Sequence, residues 1–133
     1  FLVGSEQLLE EFEKVKLPYN INILTQIGAE FALSHKEVFD KQASIICLER
    51  EKLIENLKKL SNIKVYNSDA NFVLIRAPKG QANFWFDELK KSGILIKNLN
   101  GTNSLLNDCL RITVGTEKEN KLLISSLIKI SKI

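Results

Sequence analysis

Residues 107–120 have the sequence "NDCLRITVGTEKEN", and this stretch decides how the rest of the chain is interpreted. The apolar and β-branched run "DCLRITV" predicts a strand. Thr116 and Glu119 follow with the T-x-x-E spacing of a capping box, so we expect a helix to begin there and to run to about Ile130. The strand carries a single guanidinium, that of Arg111, among neighbours that favour burial. The position of this charge requires an explanation.

Arg111 lies on one of the two faces of the predicted strand. Because side chains alternate between faces, Leu110 and Ile112 share one side, and Arg111 shares the other with Cys109 and Thr113. A buried, unpaired guanidinium is very costly, so the second face must be solvated, ion-paired or a binding site. A guanidinium can donate two parallel hydrogen bonds to a carboxylate or a phosphate. From the residues alone, an ordinary solvated or ion-paired arginine is favoured over an anion site.

Lys97 occupies a similar position in "GILIKNL", which predicts a neighbouring strand. Two cations that face the same way on adjacent strands would form a small anion pocket. The alternative is that Lys97 and Arg111 simply line an exposed sheet face, and the residues alone favour that alternative.

The segments that precede Lys97 predict two further strands and a helix. "IKVYNS" and "NFVLIRA" predict two strands, and "QANFWFDELKKSG" predicts a helix that ends at Gly93. Together with the two later strands and the last helix, the order is ββαββα. Upstream, apolar residues at helical spacing predict one long helix over residues 36–60, about 35 Å long at 1.5 Å per residue. Such a length is typical of a helix that bridges two domains, and we predict a boundary near its start.

Composition excludes several classes of function. The 133 residues carry 19 basic and 16 acidic side chains that are interleaved, for a net charge of +3, which argues against a nucleic-acid interface. No apolar run approaches the roughly 20 residues that span a bilayer, so we expect no membrane segment. Cys47, Cys109 and the single His35 do not have the usual zinc spacings. The two cysteines favour a reducing cytoplasm, although their spacing leaves a disulfide open.

The sequence has no catalytic signature of its own. It lacks G-x-S-x-G, HExxH and a glycine-rich phosphate loop, so no catalytic residue and no metal ligand is predicted. It also lacks methionine and begins with Phe1. We therefore expect the chain to be a piece of a longer protein.

Four segments resemble one family in the order in which they occur: "FLVGSEQLLEEFEKVKLPYNIN", "SDANFVLIR", "GILIKNLNG" and "NDCLRITVGTEKEN". The sequence is similar to the histidinol-phosphate aminotransferases, which are pyridoxal-phosphate enzymes of the aspartate-aminotransferase fold. The resemblance implies an α/β protein in which residues 1–34 end the large cofactor-binding domain. Residues 35–133, with the long helix, would form the smaller α+β C-terminal domain.

The resemblance also implies roles for the two cations. Arg111 matches the arginine of the family's "LRIT" motif, which holds the anionic end of the substrate, and Lys97 stands where the family commonly has a second arginine. A lysine keeps the positive charge but cannot donate two parallel hydrogen bonds to one anion as an arginine can. The main residues that bind pyridoxal 5'-phosphate, including the Schiff-base lysine, would precede this chain, so no cofactor-binding residue is assigned within it.

The implied activity is amino transfer between histidinol phosphate and 2-oxoglutarate in histidine biosynthesis, by a cytoplasmic homodimer, with this piece inactive alone. Three alternatives stay open, the first within the family that the sequence resembles and the other two from the residues. One is a related pyridoxal-phosphate enzyme such as a threonine-phosphate decarboxylase. Another is a non-catalytic module that binds a small anion, and the third is an interaction domain that uses the long helix as its interface.

Overall fold

The computed structural model describes residues 3–19 and 21–132. The chain divides into two compact units, Phe1–Asp40 and Lys41–Ile133. Helix α3, Lys36–Lys58, begins in the first unit and continues into the second, and it ends two residues before the predicted end at residue 60. The long helix was therefore predicted correctly.

The first unit is helical and builds no core of its own. Helix α1 covers Glu6–Glu13 and helix α2 covers Ile23–Ser34. Each begins at a polar cap, because the Ser5 hydroxyl accepts from the Leu8 amide at 3.4 Å and the Asn22 side chain accepts from the Thr25 amide at 2.8 Å. None of the described residues up to Asp40 is buried. The buried core lies in the second unit.

The second unit contains a four-stranded antiparallel sheet with the order β1-β2-β4-β3. The strands are β1 (Lys64–Val65), β2 (Phe72–Arg76), β3 (Lys97–Asn98) and β4 (Cys109–Thr113). Helix α4 (Ala82–Lys91) follows β2, a single 3-10 turn (Ser104–Leu106) precedes β4, and helix α5 (Glu117–Ile130) follows it. An α/β chain with a small antiparallel sheet agrees with the predicted fold class.

The outer strands are shorter than the sequence pattern predicted. Both "IKVYNS" and "ILIKNL" predicted strands of about six residues, yet β1 and β3 contain two residues each. Both lie at edges of the sheet, where a strand has a partner on one side only, and short edge strands are a common way to limit unpaired backbone. At β3 there is a further cause. Gly93 has a φ of 76° and the Ile94 amide donates to the Leu89 carbonyl at 2.9 Å, so the start of the segment still completes the end of α4.

One face of the sheet carries the core. Its apolar side chains pack with residues from helices α3, α4 and α5 in one cluster, which includes Val73, Ile75, Leu110, Ile112, Leu53, Leu57, Trp85, Leu89, Leu123 and Leu127. Burying one such side chain contributes about 1.5–3 kcal/mol, so this cluster holds the second unit together. The strand alternation predicted for Leu110 and Ile112 is confirmed, since both are at most 1% exposed. The opposite face of the sheet carries the charged residues.

Candidate anion-binding site

The structure brings the two predicted cations together on the outer face of the sheet. Lys97 of β3 and Arg111 of β4 are direct partners across the antiparallel ladder. Directly opposed residues have Cβ atoms about 4.5–5.5 Å apart and project to the same face. Both side chains are exposed. Two positive charges therefore stand next to each other on an accessible surface.

Arg111 is oriented by an aromatic ring. Its guanidinium carbon lies 5.2 Å from the centre of the Phe72 ring, on strand β2. A guanidinium held against an aromatic face keeps its N–H donors free in its own plane. Phe72 was not among the predicted site residues, because its pattern in "NFVLIR" indicated only a strand.

Among the described residues, no acidic side chain forms an ion pair with either of the two cations. Across residues 3–19 and 21–132, the ion pairs involve Lys14, Lys16, Lys36, Lys52, Lys91 and Lys121, and neither Lys97 nor Arg111 takes part in one. Like charges directly opposite each other destabilise an antiparallel sheet. An anion placed between Lys97 and Arg111 would remove this repulsion and accept hydrogen bonds from both.

A third cation on the same face has a different environment. Arg76, at the end of β2, donates from Nε to the Tyr66 hydroxyl at 3.2 Å, from Nη1 to the Asn107 carbonyl at 2.8 Å and from Nη2 to the Leu105 carbonyl at 2.8 Å. The hydrogen bond to Tyr66 raises the pKa of Arg76 further above its usual value, so the guanidinium stays charged. All three of its nitrogens are engaged with the protein.

Cys109 shares the strand face of Arg111 but is completely buried. It lies opposite Arg76 in the ladder. Strand alternation predicted its face correctly and its burial was not predicted. Both cysteines are free thiols, so the disulfide that the sequence left open is absent between Cys47 and Cys109.

The end of β4 is fixed by two polar arrangements. In the predicted capping box, the Glu119 carboxylate accepts from the Thr116 amide at 2.8 Å, and the Thr116 hydroxyl accepts from the Glu119 amide at 3.4 Å. The hydrogen bonds from Thr116 hold the pKa of Glu119 below its usual value. The capping box is thus confirmed, and it sets the point where the chain leaves the strand of Arg111 and enters α5.

The second arrangement was not predicted. Asn120 of α5 is buried, and its side chain accepts from the Gly115 amide at 3.0 Å and donates to the Gly115 carbonyl at 3.0 Å. It also donates to the buried carboxylate of Glu49, on α3, at 3.2 Å. Lys52, at 2.8 Å, and then Asn120 lower the pKa of Glu49 by hydrogen bonding to it. The turn after β4 is therefore tied to helix α3 across 71 positions of sequence.

Other candidate groups do not join this face. His35 is the C-cap residue of helix α2, and its ring stacks on that of Phe31, with 4.2 Å between the ring centres. Within the described part of the chain, no group of three or more His, Cys, Asp or Glu side chains could hold a metal ion. The helices that the structure describes are also too short or too polar to cross a membrane.

Both the sequence and the fold of this chain resemble those of known proteins. The profile of the family "Aminotransferase class I and II" matches residues 1–127. The chain belongs to this family.

Individual relatives show which members of this family the chain is similar to. The chain is 51% identical over 126 residues to histidinol-phosphate aminotransferase 2 of Nitrosococcus oceani, a match that covers 95% of this chain and 35% of that protein. Further relatives at 39–45% identity carry the same enzyme name. The chain spans about a third of the length of these relatives.

Solved structures agree with this class of fold. The histidinol-phosphate aminotransferase of Clostridium acetobutylicum matches with a TM-score of 0.79 and 25% identity, over 95% of this chain and 38% of that one. The L-threonine-O-3-phosphate decarboxylase of Porphyromonas gingivalis matches with a TM-score of 0.78 and 23% identity, over 98% and 41%. The fold alone therefore does not separate amino transfer from decarboxylation.

Proposed function

We propose that this chain is the C-terminal part of a histidinol-phosphate aminotransferase, which exchanges an amino group between histidinol phosphate and 2-oxoglutarate in histidine biosynthesis. The support comes from the family membership and from relatives that share this enzyme name at up to 51% identity. The part present here carries the substrate-side cations, and the piece alone is expected to be inactive.

The proposed role of the cation pair is to bind the phosphate of the substrate. The observation that carries it is the direct opposition of Lys97 and Arg111 on an exposed face, without an acidic partner among the described residues. A phosphate monoester has a charge of about −1.5 to −2 near pH 7 and three acceptor oxygens. Arg111 can donate two parallel hydrogen bonds, and Lys97 supplies a compact charge beside them.

Fixing the phosphate has a mechanistic consequence. Binding energy from a remote group of the substrate positions the reacting carbon, and such positioning lowers the barrier of the chemical step. Arg111 and Lys97 would therefore orient the substrate and would not exchange protons with it.

Pyridoxal 5'-phosphate is the proposed cofactor of the intact enzyme, where it supplies the electron sink for amino transfer. The residues present here do not fit covalent attachment of that cofactor. A lysine that forms a Schiff base needs a desolvated or electropositive pocket that lowers its pKa. All the lysines of this chain are exposed, so none lies in such a pocket. We therefore assign the main cofactor contacts to the portion of the relatives that this chain does not cover, and we assign no chemical step to this chain.

The proposal also covers the domain organisation and the oligomeric state of the intact enzyme. Residues 1–34 would belong to the large domain, and residues 35–133, in ββαββα order, to the small domain of an aspartate-aminotransferase fold. The intact enzyme would be a cytoplasmic homodimer that acts on a small phosphorylated amine and binds neither nucleic acid nor a membrane.

The experiment that tests the proposal uses the full-length protein with its cofactor. Histidinol phosphate and 2-oxoglutarate are supplied, and formation of glutamate is measured. Threonine phosphate is supplied in parallel, and release of carbon dioxide is measured. Glutamate formation that depends on histidinol phosphate, without decarboxylation, supports the proposal. Carbon dioxide release alone would replace it with the decarboxylase alternative.

A further inference from the structure

Arg76 lies on the sheet and contacts the chain segment that connects the strand of Lys97 to the strand of Arg111. It is the last residue of β2, it is half-buried, and it lies opposite Cys109 of β4. Two of its three acceptors, the carbonyls of Leu105 and Asn107, belong to residues 99–108, which connect β3 to β4. Since β3 carries Lys97 and β4 carries Arg111, Arg76 fastens the segment that joins these two residues.

Other hydrogen bonds hold the two ends of this connection: the Asn100 side chain donates to Asn83 of α4 at 3.4 Å and accepts from the Asp108 amide at 2.9 Å. Near its end, the Ala77 amide donates to the Asp108 carbonyl at 2.9 Å and the Asp108 side chain accepts from the Gly80 amide at 3.0 Å. Asp108 has a φ of 59°, a conformation that non-glycine residues adopt only with support. In the 3-10 turn, Leu105 is 79% exposed and Leu106 is half-buried. Among the hydrogen bonds of the described residues, the two from Arg76 join the middle of the connection to the sheet.

Because β3 is so short, the placement of Lys97 depends on its flanking segments: Ile96 packs against the core, the Asn98 side chain donates to Asn83 of α4 at 2.8 Å, and the 99–108 connection follows. Only Lys97 and Asn98 pair with β4, and the Leu99 amide adds one more hydrogen bond, to the Cys109 carbonyl at 3.0 Å. A two-residue edge strand has too few pairs to fix its own register against the neighbouring strand. A connection that shifts would move Lys97 away from Arg111.

We propose that Arg76 is a positioning residue, which fastens the 99–108 connection so that Lys97 stays opposite Arg111 in the geometry that binds a phosphate. The proposal rests on the proposed function for the identity of the ligand. Arg76 contributes through the planar geometry of its guanidinium, because each of its three nitrogens donates a hydrogen bond to the protein. A lysine at this position would keep the charge but could not reach all three acceptors.

The test compares three variants of the full-length enzyme loaded with its cofactor. Arg76→Met removes the donors, Arg76→Lys retains the charge, and Lys129→Met is the matched control. Lys129 lies on α5, is exposed, and takes part in none of the ion pairs of the described residues. The measurements are kcat and KM for histidinol phosphate and for histidinol, and the inhibition constant of inorganic phosphate.

Both Arg76 variants should raise KM for histidinol phosphate by roughly tenfold to a hundredfold, the range expected for a displacement of about 1 Å. The inhibition constant of phosphate should rise in parallel, while both kcat and KM for histidinol, which has no phosphate, stay within about threefold of the parent. Lys129→Met should behave like the parent. A lysine variant that matches the parent would overturn the proposal, because charge alone would then suffice. An equal loss with both substrates would also overturn it, because the role would then be only structural.

A second variant covers the case in which the Arg76 variants do not fold. Asn103→Ala removes the side chain that accepts from the Leu105 amide at 2.9 Å, and so loosens the connection without altering Arg76. It should produce the same selective rise in KM, and a parental KM would contradict the proposal. If Arg111→Ala raises KM while the Arg76 and Asn103 variants do not, this inference fails and the proposed function stands. If Arg111→Ala changes nothing, the proposed function fails first.

Discussion

Lys97 and Arg111 face each other across the β3–β4 ladder, both exposed and both positively charged. Such an arrangement costs stability in the free protein, because like charges directly opposite in a sheet repel. A fold keeps an unfavourable contact of this kind where a ligand relieves it.

Lys97 should act mainly through its charge. In the full-length enzyme, Lys97→Ala should raise KM for histidinol phosphate by about tenfold, the effect expected for one charge-assisted hydrogen bond near the surface, while Lys97→Arg should keep or lower it. Because the site is exposed, the KM of the parent should also rise with salt as the Debye length shortens from about 10 Å at 0.1 M to about 3 Å at 1 M. The measurement is KM at both salt concentrations. A KM that does not respond to salt or to Lys97→Ala would exclude this residue from the site.

The capping box should contribute to stability without affecting the substrate. Thr116→Ala should lower the free energy of unfolding by about 1 kcal/mol, because the amides at the start of α5 lose their acceptor. Thr116→Ser is the matched control, since its hydroxyl can accept the same hydrogen bond. Urea unfolding of the full-length protein measures the difference, with KM for histidinol phosphate as the second readout. An alanine variant as stable as the serine variant would show that the cap is not formed in solution.

Asn120 should have a larger effect, because it is buried and satisfies both backbone groups of Gly115. Asn120→Ala leaves these groups without partners, which costs about 1–3 kcal/mol. Lys121→Ala, at the exposed neighbouring position, serves as the control. Urea unfolding again gives the comparison. Equal stability of the two variants would contradict the role assigned to Asn120.

The Asn120 interaction also predicts a dependence on pH. The pKa of Glu49 is lowered in the folded chain by Lys52 and then by Asn120, from an ordinary value of about 4.5. A carboxylate with a lowered folded pKa stabilises the fold fully above its unfolded pKa, and this contribution is lost as the pH falls through the folded value. Between about pH 5 and pH 3, the parent should therefore lose more stability than Glu49→Gln does. Parallel losses for the two proteins would mean that Glu49 is not ionised in the way described.

Local patterns in the sequence predicted much of the fold and the two central cations. The alternation around Arg111 gave its face, and the T-x-x-E spacing gave the start of α5, because both depend on residues close in sequence. The contacts that were missed join distant positions. Arg76 reaches carbonyls 29 and 31 residues away, and Glu49 reaches Asn120 71 residues away. A single sequence carries no local signal for such contacts. The lengths of the two edge strands were overestimated for the same reason, because the length of an edge strand depends on its tertiary neighbours.

The central claim is that Arg111 binds the phosphate of the substrate, and one comparison tests it most directly. The measurement is the ratio of kcat/KM for histidinol phosphate to that for histidinol, in the full-length enzyme and in Arg111→Ala. Two charge-assisted hydrogen bonds are lost, so the ratio should fall by roughly a hundredfold or more, while kcat/KM for histidinol changes little. An unchanged ratio, with both substrates affected equally or not at all, would contradict the assignment of Arg111 to the phosphate.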